Sequence, residues 1–408
     1  MELLSVRTTE EVRALINREF AYKLESETVS LLDSVNRICS KDIKANLDIP
    51  NFRRSTVDGF AVNSRDVFGA SESMPAIMEL IEEIIMGKSP ESEIYNAGEC
   101  SYVPTGGMLP QGSDSVVMLE YCDRLDDKTI LINKQSAPGE NVVQIGEDVS
   151  IGDIVVKDGQ RLRPYEIGVL AAQGIKEVNI YKKPKVAIIS TGDEIVSIET
   201  DPKLGEIRDI NTYMLYSLIK QDGGIPISYG IVKDEFLLLR NIVDKALKEC
   251  DIVLISGGSS VGKKDHTLKV IDSYDNGGVL VHGMAIKPGK PTIVGKAYEK
   301  IVFGLPGHPL AASVVYKILV KDYIDKLMKL KEEEYGIAAE MSINYHKAMG
   351  REEYLPVSLR KENDKVIAYP VFGKSGIITA FSRAYGYIRI NKDVEGLYKG
   401  EKIEVYKL

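Results

Sequence analysis

The chain has 408 residues, 44% of them apolar and 27% charged, and a formal net charge of −8. That length exceeds one ordinary core and implies about two to four domains. The acidic balance excludes a general affinity for nucleic acid or acidic membranes, so an anionic ligand has to meet a local basic cluster.

Taken in chain order, Thr8-x-x-Glu11 ahead of Val12, Leu15 and Ile16 is a capping box that opens an amphipathic helix. The opening stretch MELLSVRTTEEVRAL has no apolar signal core, and no run approaches about 18 continuous apolar residues, so a cytoplasmic protein without a membrane span is expected. Cys39, Cys100, Cys122 and Cys250 follow no metal-ligand spacing and are expected as reduced thiols. From about Ile49 to Ile145, short β-prone runs such as YVPTG and SVVMLEY, broken by Gly, Pro and acidic turns, predict a mostly β insertion. RPYEIGVLAAQG predicts a helix that ends at Gly174, and the helices on either side of the insertion are expected to pack as one linking segment.

From Lys185 the rhythm is regular. Strand-like KVAIIST, IPISYGIV, DIVLISGG and KIVFGLP alternate with helical NTYMLYSLIKQ, EFLLLRNIVDKALKE, HTLKVIDSY and HPLAASVVYKILV. Continuous apolar strands between amphipathic helices predict a buried parallel sheet in a three-layer α/β domain. Phe236, Leu239, Val243 and Ala246 mark the apolar face of one helix, with Asp234 as its candidate N-cap. After about Lys331, EYLPVSLR, KVIAYPVF and YGYIRI predict a small C-terminal barrel or sandwich.

In an open parallel sheet, ligands bind beyond the carboxyl ends of the strands, where glycine turns let backbone amides approach an anion. Four such ends are unusual here: Ser190-Thr191-Gly192-Asp193-Glu194, Asp234, the loop SGGSSVGKKD, and Gly304-Leu305-Pro306-Gly307-His308-Pro309. A tight turn explains any one of them; four on one edge point to a site. The loop fits the GxxxxGK(S/T) phosphate loop from Gly257 to Lys263, but Lys264 replaces the hydroxyl that would hold magnesium. It therefore reads as an amide cradle for phosphate without the equipment of an ATPase. Glu194, Asp234 and Asp265 either bridge a magnesium ion to phosphate or cap helices. Lys287-Pro288-Gly289-Lys290-Pro291 is either a surface turn with solvated lysines or a stiff cation pair for a tetrahedral oxyanion or phosphate. The four histidines, His266, His282, His308 and His346, show no zinc spacing.

Together, STGDE, SGGSSVGKKD, KPGKP and GLPGHP resemble the molybdopterin molybdenumtransferase family, which includes MoeA and the E domain of gephyrin. Ser55-Thr56-Val57-Asp58-Gly59-Phe60-Ala61, Pro104-Thr105-Gly106, Gly146-Glu147-Asp148 and Gly205-x-Ile207-Arg208-Asp209-x-Asn211 extend the resemblance over nearly the whole chain. The resemblance implies a helical linking domain (1–45 and 146–180), an inserted β-rich domain (46–145), an α/β molybdopterin-binding domain similar to molybdopterin adenylyltransferases (181–330) and a C-terminal β-barrel (331–408). It further implies a homodimer whose site lies between the α/β domain of one subunit and the inserted domain of the other.

The implied reaction inserts molybdate into adenylyl-molybdopterin, releasing AMP and molybdenum cofactor, with magnesium as the usual cation. Molybdopterin adenylyltransferase and molybdoenzymes are the implied pathway partners. Glu194 and Asp265 would place the metal, while Gly257, Gly258 and Ser259 would donate to phosphates. Lys287 and Lys290, with Arg351 and Ser375, would offset the charge of molybdate and pterin phosphate. Asp58 and Asp148 would complete the cleft as polar or acid/base groups, with Asp234 also among the implied catalytic residues; Thr105, Thr191, Gly192, Asn211, Pro306, Gly307 and His308 would line the substrate site. Phe60, His266 and His308 depart from residues often found in the family at these places. The competing readings are an adenylyltransferase, a tungstate-inserting homologue and a non-catalytic scaffold.

Overall fold

The computed structural model describes residues 6–94, 96–257, 266–275, 277–373 and 379–408. The capping box forms as the spacing predicts: the Thr8 hydroxyl accepts from the Glu11 amide, and the Glu11 carboxylate accepts from the Thr8 amide at 2.8 Å. It opens the helix Thr9–Glu19, whose buried Val12, Leu15 and Ile16 join the core of the α/β layer. The helix Pro164–Ala172 lies in another core, with Cys39, Val156 and Leu162. The two helices flanking the insertion thus do not pack together as the sequence suggests. Two short ribbons build the linking region around the second helix: Ser26–Ser30 pairs with Glu177–Tyr181, and Ile43–Lys44 with Ile154–Val156.

The insertion folds as a six-stranded sheet in the order Ser115–Met118, Gly59–Val62, Glu99–Val103, Ala76–Glu83, Thr129–Ile132, Cys122–Arg124. Gly59 is required by close approach: a Cβ there would lie 2.1 Å from the carbonyl oxygen of Val117 on the neighbouring strand.

The α/β domain holds a second six-stranded sheet, ordered Ile225–Val232, Lys185–Thr191, Ile252–Ser256, Lys300–Leu305, Ile293–Ala297, Gly278–His282. The first four strands are parallel, as expected, but the fifth, Ile293–Ala297, runs antiparallel to both its neighbours and forms a hairpin with Lys300–Leu305. The expected all-parallel sheet is therefore mixed. The turn between Ile293–Ala297 and Lys300–Leu305 is only Tyr298-Glu299, with Tyr298 at φ 54°, and it lacks the Asn-Gly signal that would have disclosed it.

Alternation along the central strands produces the three layers. Val186, Ile188, Leu254 and Phe303 face the Thr9–Glu19 helix and the long helical run from Pro309. Ala187, Ile189, Val253 and Ile255 face the helices Phe236–Glu249 and His266–Asp272. The run from Pro309 continues through one π-helical stretch, Tyr316–Val320, into Lys321–Leu327.

The C-terminal strands close into a five-stranded barrel, because Glu352–Glu362 pairs with both Lys365–Pro370 and Gly386–Ile390. The short strand Ile286–Lys287, at the end of the VLVHGMAI run, pairs in parallel with Glu352 and Glu353, tying the barrel to the α/β domain. Glu352, 7% exposed, strengthens the joint: its carboxylate accepts from Thr9 Oγ1 and Tyr354 OH, each at 2.7 Å, and pairs with Arg389, which also reaches Glu10.

No helix among the described residues is long and apolar enough to cross a membrane.

Candidate functional site

Three strand ends and one helix start meet at the carboxyl edge of the α/β sheet. Asn211 opens the helix Asn211–Gln221 and is 6% exposed. Its Nδ2 donates to Ser256 Oγ at 2.7 Å and to the Gly307 carbonyl at 2.8 Å, bridging two strand ends. Its Oδ1 is buried with no hydrogen-bond partner among the described residues, and so are Ser190 Oγ, Thr212 Oγ1 and His266 Nδ1. Buried polar atoms are almost always paired in folded proteins, so such a cluster at one edge invites a ligand to complete it. Asp209, 6% exposed, accepts from the Thr212 amide at 3.1 Å and orders the start of the same helix.

One glycine on this edge is required by contact. Gly257 has φ 110°, and a Cβ there would sit 2.0 Å from the Thr191 carbonyl oxygen. Gly307 and Gly257 also lie close, since a Cβ on Gly307 would be 3.8 Å from the Gly257 Cα. A Cβ on Gly192 would meet both carboxylate oxygens of Glu194, at 2.9 and 3.0 Å. The exposed Glu194 side chain thus folds over the glycine turn.

Asp234 corrects one expectation. The residue at the N-cap of Phe236–Glu249 is Glu235, without a side-chain cap bond, and Asp234 does not cap the helix. Its carboxylate instead accepts from the Thr191 hydroxyl at 2.7 Å, and its amide donates to Asp193 Oδ1 at 3.4 Å. Thr191 has a better-placed claim on the carboxylate than the helix amides do, so Asp234 braces two adjacent strand ends.

Beside this edge, a cleft of about 850 Å³ opens between the α/β domain and the barrel. Lys287, Lys290, Pro306, His308 and Arg351 all line it, as does Glu353. The 306–308 loop is common to both features, since Asn211 holds Gly307 while its neighbours line the cleft. Gly289 stiffens the lysine turn: at φ 118°, a Cβ would press on Ile286 Cδ1 at 2.7 Å and Val315 Cγ2 at 2.9 Å. Lys287 is not solvated alone; its Nζ lies 2.9 Å from Glu353 Oε1, which also accepts from Tyr345 OH at 2.6 Å. Burial, and then the Glu353 carboxylate, push the Tyr345 hydroxyl well above the ordinary phenol range. Sequence reasoning missed Glu353 and Tyr345. The one available signal was two consecutive acidic residues, Glu352 and Glu353, directly ahead of the apolar run Tyr354 to Val357.

Asp58 and Thr105 meet within the inserted sheet, where the Asp58 carboxylate accepts from the Thr105 amide at 2.8 Å. The motifs STVDGF and PTGG thus form one corner, with Gly106 at φ 82° donating to the Ser55 carbonyl. Asp148 is exposed and its amide donates to the Ile49 carbonyl at 3.0 Å. The hydrogen bonds of Asp58, Thr105 and Asp148 given by the structure all stay outside the α/β domain. Gly258, Ser259, Asp265 and Ser375 lie outside the described residues. Among the described residues, no group of three or more His, Cys, Asp or Glu side chains is gathered as for a metal ion.

These features define a class: a multidomain protein in which a three-layer α/β domain carries a strand-end cradle, adjoined by a cationic cleft against a β-barrel. Family models narrow it. The MoeA N-terminal region (domain I and II) matches residues 7–174, a probable molybdopterin binding domain matches 187–326, and the MoeA C-terminal region (domain IV) matches 338–408. A putative molybdopterin biosynthesis protein of Methanocaldococcus jannaschii is 37% identical over 388 residues, covering 93% of this chain and 92% of the relative. The molybdopterin molybdenumtransferase of Haemophilus influenzae is 30% identical over 406 residues, covering 98% of each. The crystal structure of a molybdopterin biosynthesis MoeA protein from Pyrococcus horikoshii superposes with a TM-score of 0.88 at 31% identity, covering 99% of this chain and 100% of that one. The chain belongs to the molybdopterin molybdenumtransferase family.

Proposed function

We propose that this protein inserts molybdate into adenylyl-molybdopterin, giving molybdenum cofactor and AMP. The observation that carries the reading is the shared 306–308 loop, which joins a cradle with orphaned buried acceptors to a cleft lined by Lys287, Lys290 and Arg351. A phosphorylated pterin-nucleotide needs the first feature, and a doubly charged tetrahedral oxyanion needs the second. Placing them side by side brings the two substrates together, which is the main requirement of a reaction catalysed by positioning and charge neutralisation.

The glycine turns at Gly192, Gly257 and Gly307 let backbone approach the phosphates, and Thr191, Pro306 and His308 line the surrounding edge. Asn211 Oδ1 accepts a hydrogen bond from the substrate. Lys287, Lys290 and Arg351, with Ser375, hold molybdate and the pterin phosphate. Asp234 fixes Thr191.

Magnesium fits this edge, because that ion uses one or two carboxylates together with substrate phosphates and water rather than an all-protein cage. Glu194, folded over Gly192 and exposed, would hold it together with Asp265. When bound it would offset charge on the phosphates.

Among the described residues, Asp58, Thr105 and Asp148 form no bond to the α/β edge of their own chain, which supports a homodimer in which the inserted domain of one subunit completes the site of the other. Molybdopterin adenylyltransferase would supply the substrate, molybdoenzymes would receive the product, and the protein would work in the cytoplasm.

The Lys287→Ala, Lys290→Ala double variant tests the assignment of the cleft. We expect single-turnover molybdate insertion to fall by about a hundredfold or more, as when preorganised charge is removed from a developing or bound anion. An unchanged rate would contradict it.

A further inference from the structure

The cleft contains a fixed negative charge opposite to what an anion site needs. Glu353 is 6% exposed and lines the cleft beside Lys287, Lys290 and Arg351. Its side chain is 7% exposed, whereas that of its ion-pair partner Lys287 is 58% exposed. The carboxylate is thus built into the wall and the lysine reaches to it. Three constraints hold the wall in place. Tyr345 donates to the same oxygen that Lys287 contacts, strand pairing sets Lys287 opposite Glu353, and the Glu352 amide donates to the Ala285 carbonyl at 2.9 Å.

From this geometry we infer that Glu353 is a built-in counter-carboxylate, which competes with an incoming tetrahedral dianion for Lys287 and sets the cleft's affinity for such anions. This rests on the reading of the cleft as the oxyanion site. An anion that engages Lys287 either shares its ammonium with Glu353 or draws it away, leaving a wall carboxylate with Tyr345 as its remaining partner among the described residues. Both outcomes lower affinity. The formal charges of the four groups, three cations and one carboxylate, match a dianion of charge −2 rather than leaving one cation in excess. An empty cleft is therefore partly neutralised and holds sulfate and phosphate less firmly than three free cations would.

The test is equilibrium binding of molybdate alone, and of sulfate alone, to the full chain and to Glu353→Gln, Lys287→Ala and the double variant Glu353→Gln, Lys287→Ala. Glutamine keeps the size of the side chain and removes the charge, and unfolding midpoints check that the barrel is intact. The inference expects Glu353→Gln to bind both anions about tenfold or more tightly than the wild type, the scale of one nearby charge in a partly buried site. That gain should shrink to less than about threefold in the Lys287→Ala background, since contacting residues couple in such cycles. Unchanged or weaker binding by a folded Glu353→Gln, or an equal gain with and without Lys287, would overturn the counter-carboxylate. Absence of molybdate binding in every form, or wild-type binding that Lys287→Ala leaves unweakened, would instead contradict the oxyanion reading of Lys287, and with it the inference.

Discussion

Asn211 commits both amide hydrogens to Ser256 and Gly307 and leaves a buried carbonyl oxygen without a donor among the described residues. A side chain that served only to fasten two strand ends would not need that unpaired acceptor. Replacement by alanine removes the bridge and the acceptor together. We expect a stability loss of about 1–3 kcal/mol from the released groups, read from denaturant midpoints, and a drop in adenylyl-molybdopterin affinity of about tenfold or more, read by titration. A stability loss with unchanged affinity would make Asn211 purely structural. At this scale the sequence pointed to residues that line the cleft or its edge where a motif names them, as for Lys287, Lys290 and Asn211. It was less informative where a side chain chooses between neighbours: Asp234 bonds Thr191, a residue 43 positions away, rather than the helix beside it. Glu353 was missed because its meaning depends on facing Lys287 across a strand pair that nothing local predicts.

The elements that build the cradle are strands ending in glycine turns, and at Gly257 the geometry depends on a missing Cβ. Gly257→Ala would combine φ 110° with a Cβ 2.0 Å from the Thr191 carbonyl oxygen. Backbone contact of that kind cannot be relieved by rotating a side chain. The variant is expected to lose about 2 kcal/mol or more of stability and to bind AMP measurably less well than the wild type, as calorimetry of each would show. The three inner parallel strands, Lys185–Thr191, Ile252–Ser256 and Lys300–Leu305, were legible because both faces are covered and their sequences are nearly continuously apolar. The antiparallel hairpin was not, because its turn is Tyr298-Glu299. The N-terminal helix was legible from its capping box, but not its docking on the α/β layer. Amphipathicity reports that a face is buried without naming the surface that buries it.

At the scale of the whole molecule, the order of modules could be read along the chain, while their contacts could not. Closure of the barrel depends on Glu352–Glu362 pairing with two partners, and its anchorage depends on Thr9, Glu10, Glu352 and Arg389 meeting from distant parts of the sequence. The placement of Asp58 and Thr105 in an inserted domain, bonded to each other and, among the described residues, not to the α/β edge, leads to a prediction for the assembly. Protomers carrying Asp58→Ala, mixed by reversible unfolding with protomers carrying Glu194→Ala, should regain about a quarter of wild-type activity, since half of the dimers then hold one intact composite site. Recovery absent from mixtures that demonstrably exchange subunits would place the whole site in one chain.

The most direct test of the account follows purified protein, adenylyl-molybdopterin and magnesium with and without molybdate, measuring AMP release and metal incorporated into the pterin. The account predicts AMP release that depends on molybdate, with one metal inserted for each AMP formed. AMP release indifferent to molybdate, or conversion of ATP and free molybdopterin to the adenylylated form, would contradict it.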